Sequence, residues 1–128
     1  KRAFICDWWC QKFLSAKLFE TLMRKMGVYV SSYSTDYLDD AVNYFKKDDL
    51  LLIFSAGGDS TYIRKITNLK CKTLLVTANP NAKYRKHFDK VITLPTLSGD
   101  WEYDSISPIM FDIFTELLVT HYGKQMKN

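Results

Sequence analysis

The run Leu50-Leu51-Leu52-Ile53-Phe54-Ser55-Ala56-Gly57-Gly58-Asp59-Ser60 constrains this chain more than any other stretch. Five apolar residues in a row, bounded by Asp48-Asp49 and Gly57-Gly58, predict a short strand buried on both faces. The paired glycines then permit a tight turn, and Asp59 and Ser60 are side chains suited to capping a helix N-terminus. Strand, small-residue loop and helix start together make an anion site, because free backbone N–H groups converge at the positive end of the helix dipole. The candidate ligand-binding residues are therefore Ser55, Gly57, Gly58, Asp59 and Ser60. The plainer reading of the same residues is a helix cap and a turn that hold no ligand.

The flanking chain alternates between two kinds of element. Ala3-Phe4-Ile5-Cys6 suits a first strand. A helical stretch follows, with Leu14, Leu18, Leu22 and Met26 at i+4 spacing and Gly27 in the place of a helix-ending glycine. Val28-Tyr29-Val30 predicts a second strand, closed by Ser31 to Ser34. Thr35 or Asp36 then caps a helix that turns Leu38, Ala41, Val42 and Phe45 inward. After the central loop a helix is expected from about Asp59 to Leu69, then a fourth strand over Thr73 to Thr77. Asn79-Pro80 reads as an N-cap and N1 proline before a short helix ending near His87, and Val91 to Leu94 as a fifth strand stopped by Pro95.

Strands alternating with helices at this interval imply βαβ units and right-handed crossovers. The predicted architecture is α/β: a three-layer α/β/α sandwich around a five-stranded parallel sheet. Ser107-Pro108 opens a last helix carrying Ile109, Met110, Phe111, Ile113, Phe114, Leu117, Leu118 and Val119. That apolar surface is wider than one stripe, which favours partial burial against a partner subunit, a homodimer through the C-terminal helix.

With 128 residues, 47% of them hydrophobic and 15% aromatic, the chain is a single domain over residues 1–128 with a real core. Its net charge of +4 is mild. Basic pairs such as Arg24-Lys25, Lys46-Lys47 and Arg85-Lys86 are separated by acids and hydrophobics, which favours solvated lysines over a nucleic-acid face. Cys6, Cys10 and Cys71 form no CxxC pair, and His87 and His121 are the only histidines, poor material for zinc or a disulfide framework. Reduced thiols in a cytoplasmic protein are the expectation, with no metal and no cofactor. No apolar stretch reaches membrane-spanning length and no signal peptide opens the chain, so no membrane partner is expected. The first residue is Lys1 rather than methionine, which reads as a trimmed fragment.

With that order of elements, the chain resembles the sugar isomerase (SIS) domain, most closely the effector domain of RpiR-type bacterial transcription regulators. That family carries a Ser-x-Ser-Gly-x-Thr-like loop after a buried strand. Here Ser55-Ala56-Gly57-Gly58-Asp59-Ser60 matches it, with Gly57 for the second serine, Asp59 where glutamate is common and Ser60 for threonine. Asp49 to Ile53, Leu74 to Asn79, Phe88 to Ile92, and Ser105-Ile106-Ser107 before a helix containing Asp112 look like further family segments. The likeness runs from about Phe4 to about Tyr122. The resemblance implies a flavodoxin-like SIS sheet, sugar-phosphate binding, dimerisation, and contact with DNA only through a helix-turn-helix domain lying before Lys1.

One segment departs from the pattern. The family's glycine-rich Gly-x-Gly-x-Ser loop falls on Trp8-Trp9-Cys10-Gln11-Lys12, and no glycine lies between Lys1 and Met26. Trp8, Cys10 and Lys12 would then form the second half of the pocket, either filling it or reshaping it. Trp8 and Trp9 are also suited to burial against the sheet or at a dimer contact. His87 and His121 read as surface or helix-end histidines, and neither falls on a proton-transfer position. Asp100, Glu102 and Asp104 form an acidic loop whose simplest role is solvation. A regulatory phosphosugar-binding domain, not an enzyme, is the first expectation. A stand-alone aldose–ketose phosphate isomerase and a degenerate SIS module retaining only dimerisation are the alternatives.

Overall fold

The computed structural model describes residues 3–7, 10–34, 40, 42–59, 69–96 and 109–127. The strands are β1 (Ala3–Asp7), β2 (Val30–Ser34), β3 (Leu50–Phe54), β4 (Lys72–Thr77) and β5 (Lys90–Thr93), and the helices are α1 (Cys10–Lys25) and α2 (Ile109–Lys127). Short 3-10 turns occupy Val42–Tyr44 and Arg85–His87. All strands run parallel in the order β2-β1-β3-β4-β5. The five-stranded parallel sheet is as expected, and β3 lies at its centre.

The central strands are apolar at both parities, so both faces of the sheet are covered. Ile5, Leu52, Phe54 and Val76 face one way and meet Ala16, Phe19 and Met23 of α1 and Phe111 of α2. Phe4, Leu51, Ile53 and Leu75 face the other way and meet Phe45 and Tyr84. Phe54 is fully buried, and its ring lies 5.3 Å from Phe111, 6.1 Å from Phe114 and 6.4 Å from Phe19. The Ser15 hydroxyl donates to Asp112 Oδ1 at 2.7 Å, a polar tie between α1 and α2. Of the helices expected over about 36–45 and 59–69, residues 36–39, 41 and 60–68 lie outside the described residues, and Val42–Tyr44 form a 3-10 turn.

Three details differ from the reading of the sequence. The second strand is Val30–Ser34 rather than Val28–Val30. β2 is an edge strand whose Ser31 to Ser34 pair with Phe4 to Asp7, so it is not required to be apolar on both faces. On α1 the buried line is Ser15, Ala16, Phe19 and Met23, while Leu18, Leu22 and Met26 are half-buried. At about 100° per residue an i+4 series drifts around the helix, whereas positions 16, 19 and 23 stay within about 60°. Asn79-Pro80 starts a turn, not a helix, and between it and β5 the only helical residues are the 3-10 turn Arg85–His87.

Gly27 ends α1 at φ +81°, with Gly27 N–H bonded to Arg24 C=O and Val28 N–H to Met23 C=O. This is the paired bonding of a Schellman cap, which needs the left-handed backbone that glycine supplies.

Candidate functional site

In a doubly wound parallel sheet, ligands bind beyond the carboxyl ends of the strands where the order reverses. Here the reversal lies between β1 and β3, whose last residues Asp7 and Phe54 are paired neighbours. The chain continues from those residues into Trp8-Trp9 and into the loop Ser55 to Asp59, the two segments singled out in the sequence.

The second loop is built by its own side chains and by the segment after β4. Ser55 is buried, and its N–H donates to Val76 C=O at 3.0 Å. Its hydroxyl oxygen accepts the Gly58 N–H at 3.1 Å, which closes the turn. Gly58 stands at φ +63°, and a Cβ there would come within 2.6 Å of the Ala82 Cβ. Only glycine fits this backbone and this space.

On the far side, Ala78 N–H and the Thr77 hydroxyl both donate to Ala56 C=O, at 3.0 and 2.8 Å. The Asn79 amide nitrogen donates to Gly57 C=O at 3.0 Å and to Asp59 Oδ2 at 3.4 Å, and its oxygen accepts the Asn81 N–H. Asp59 Oδ1 also accepts the Lys83 N–H at 2.5 Å. Arg85 bridges Asn79 C=O and the Thr93 hydroxyl, at 3.4 and 3.0 Å, and so joins the ends of β4 and β5.

Ser55, Gly57, Gly58 and Asp59 are thus brought together in one hydrogen-bonded loop, and Ser60 lies outside the described residues. The Ser55 hydroxyl oxygen and the Asp59 carboxylate hold the loop's own shape. Gly57 is half-exposed and Asp59 exposed, so the loop's outer surface is turned to solvent. Trp8 and Trp9 lie outside the described residues, while Cys10 and Lys12 fall in the first turns of α1, with side chains that are not described.

The sequence reading does not include Thr77 and Asn79 as builders of the site. Both are buried polar residues at the carboxyl end of a core strand. A polar residue in that place must find a hydrogen-bond partner, and this is the signal that marks them. His87 lines a cleft at the opposite edge of the sheet, and His121 is exposed on α2. Asp100, Trp101, Glu102 and Asp104 lie outside the described residues. Among the described residues no group of three or more His, Cys, Asp or Glu is placed to hold a metal ion, and no helix is long and apolar enough to cross a membrane.

This architecture is shared with solved sugar isomerase (SIS) domains. A candidate phosphosugar isomerase of Bacteroides fragilis involved in capsule formation superposes with a TM-score of 0.75 at 16% identity, over 98% of this chain and 70% of its own. The sugar isomerase domain of an RpiR transcription factor from Sphaerobacter thermophilus gives 0.79 at 11% identity, over 98% of this chain and 71% of its own. The NanR protein of Vibrio vulnificus, solved with ManNAc-6P, gives 0.71 at 10% identity over 98% of this chain and 52% of its own. No family model and no curated protein sequence matches the chain. At these identities the likeness establishes the fold.

Proposed function

We propose that this chain is the sugar-phosphate-sensing domain of an RpiR-type transcription regulator. The observation that carries the reading is the position and the hydrogen-bonded closure of the Ser55–Asp59 loop. It closes the central strand beside the sheet's point of reversal, and hydrogen bonds from Thr77, Asn79 and Lys83 hold it in place. A rigid small-residue loop holds an oxyanion through backbone N–H groups that need no reorganisation. In this reading Gly57, Asp59 and Ser60 present their amides, and Ser60 its hydroxyl, to the phosphate. Ser55, Gly58 and the Asp59 carboxylate keep the loop in shape. The Trp8–Lys12 segment supplies the sugar-facing wall.

A sensor, rather than an isomerase, is favoured because Asp59, the titratable side chain of the Ser55–Asp59 loop, is engaged by the Asn79 amide and the Lys83 N–H as part of the loop's own frame. Aldose–ketose interconversion needs a base positioned to move a proton between neighbouring carbons. The sensor works as a homodimer through α2, where Ile109, Ile113 and Leu117 are exposed at i+4 spacing. It contacts DNA through a domain preceding Lys1, and it resides in the cytoplasm. An effector then acts by favouring one of two subunit arrangements through its differential affinity.

The test is thermal unfolding with a panel of hexose and amino-sugar phosphates and the matching free sugars. A ligand bound only by the native state raises Tm, by about 2.7 kcal/mol of stabilisation at a hundredfold excess over Kd. At least one phosphorylated sugar should raise Tm, its free sugar should not, and Ser60→Ala should reduce the shift. A flat response across the panel overturns the sensing role and leaves dimerisation as the function. Turnover between aldose and ketose phosphates in the same mixtures would replace the sensor with the isomerase.

A further inference from the structure

The turns leading into β3, β4 and β5 lie side by side at the amino edge of the sheet, because these strands are consecutive neighbours. Lys46 and Lys47 precede β3, Lys70 and Lys72 flank the start of β4, and Lys86 and Lys90 flank that of β5; all six are exposed. In sequence these pairs are scattered among acids and apolar residues. In the sheet, with neighbouring strands about 4.8 Å apart, they gather on one end of the molecule.

Among the described residues, three carboxylates lie in the same three turns. Asp48 is exposed. Asp49 is buried and accepts the Lys46 N–H at 2.6 Å. Asp89 accepts the Thr73 N–H at 2.8 Å and the Thr73 hydroxyl at 3.2 Å. Asp49 and Asp89 are thus turned onto the chain's own backbone, whereas the lysines face solvent. Among the described residues of these three turns, six lysines and three aspartates leave an excess of +3, set against +4 for the whole chain. A cleft of about 510 Å³ opens there, lined by the three aspartates and by Lys47, Lys70, Lys72 and His87, and the remaining lysines surround it.

We infer that this edge is a docking surface for the phosphate backbone of duplex nucleic acid, without readout of its sequence. Charge complementarity selects the partner. Lysine is a point-charge ligand for phosphate, and it is depleted from the cores of protein–protein interfaces. Adjacent lysine pairs across three strands match a polyanion with regularly repeated charge. The surface lies at the end of the sheet opposite the Ser55–Asp59 loop, so it stands independently of the sugar-phosphate reading. In a DNA-bound regulator it would add a sequence-independent contribution to affinity.

The experiment measures fluorescence anisotropy of a labelled duplex DNA of arbitrary sequence titrated with the protein, between about 25 and 200 mM salt. The patch variant is Lys70→Gln/Lys72→Gln. The control, Lys17→Gln/Lys83→Gln, removes the same charge from the middle of α1 and from beside the Ser55–Asp59 loop, and keeps the Lys83 backbone N–H; circular dichroism checks that both remain folded. Wild-type binding should weaken steeply with salt. The patch variant should lose about tenfold in affinity at low salt, and its log–log salt slope should flatten by about 2. The control should stay within about twofold. Equal losses in both variants would reduce the effect to net charge and overturn the surface. So would a wild-type protein that ignores duplex DNA at low salt, or one that binds only phosphatidylserine vesicles.

Discussion

Two glycines with left-handed backbones separate conformational from steric demand. Gly27 has φ +81° with nothing within 4 Å of where a methyl group would stand, so Gly27→Ala meets only the backbone penalty of about 1 kcal/mol. At Gly58 the added Cβ also collides with the Ala82 Cβ at 2.6 Å and crowds the Thr77 hydroxyl at 3.2 Å. Overpacking adds about 1 to 3 kcal/mol to that penalty, so Gly58→Ala should cost about 2 to 4 kcal/mol. Urea denaturation of the two variants checks the difference, and equal losses would show that the loop yields freely. The glycine pair is legible in the sequence because its residue types are punctuation in any chain. The roles within it are not. A serine before two glycines reads as a phosphate ligand or as a turn-closing acceptor, and only the 3.1 Å bond from Gly58 N–H assigns the second role to its oxygen.

The edge strand β2 shows the same contrast one scale up. Its Val30 C=O and Ser32 N–H point away from β1, and α1 covers both. Arg24 Nε donates to Val30 C=O at 2.8 Å, and Glu20 accepts from the Ser32 N–H at 2.8 Å and from the Ser32 hydroxyl. Covering these two groups blunts that stretch of the edge as a template for another chain. The sequence conceals the strand because edge strands escape the two-sided apolar rule, whereas β3 is plain from its unbroken Leu50–Phe54 run. Burial acts to raise the Glu20 carboxyl, but the Ser32 hydrogen bonds, with Lys17 and Arg24, outweigh it and leave it below the usual glutamate range. A carboxyl with a depressed folded pKa stabilises the fold at pH above its unfolded value of about 4.3, and that contribution is lost as pH falls through the folded value. Glu20→Gln should therefore be less stable than wild type near neutral pH, and the difference should shrink below about pH 4. Denaturant midpoints measured across that range check it, and a difference independent of pH would assign the effect to packing.

At the scale of the whole molecule, α2 has one face in the core and one outside it. Phe111 and Thr115 are buried, Phe111 against Phe54 of the sheet, while Ile113 and Leu117 are 41% and 66% exposed on the opposite side. The C-terminal apolar residues make more than one helix stripe, as their spacing predicts, but sequence periodicity alone does not say which stripe the core takes. Phe54 does: fully buried just before the candidate loop, it takes Phe111 and Phe114, and this turns Ile109, Ile113 and Leu117 outward. Such a row is costly to leave in water and is the natural centre of the proposed homodimer. A carboxylate in that centre must be desolvated without a partner, so Leu117→Glu should weaken the dimer by about a hundredfold or more. Because Leu117 is already exposed in the single chain, the same change should leave monomer stability within about 0.5 kcal/mol of wild type. Sedimentation velocity over a concentration series, run beside a thermal melt under dissociating conditions, separates the two effects. A Leu117→Glu protein that sediments as wild type at every concentration would move the dimer contact off α2.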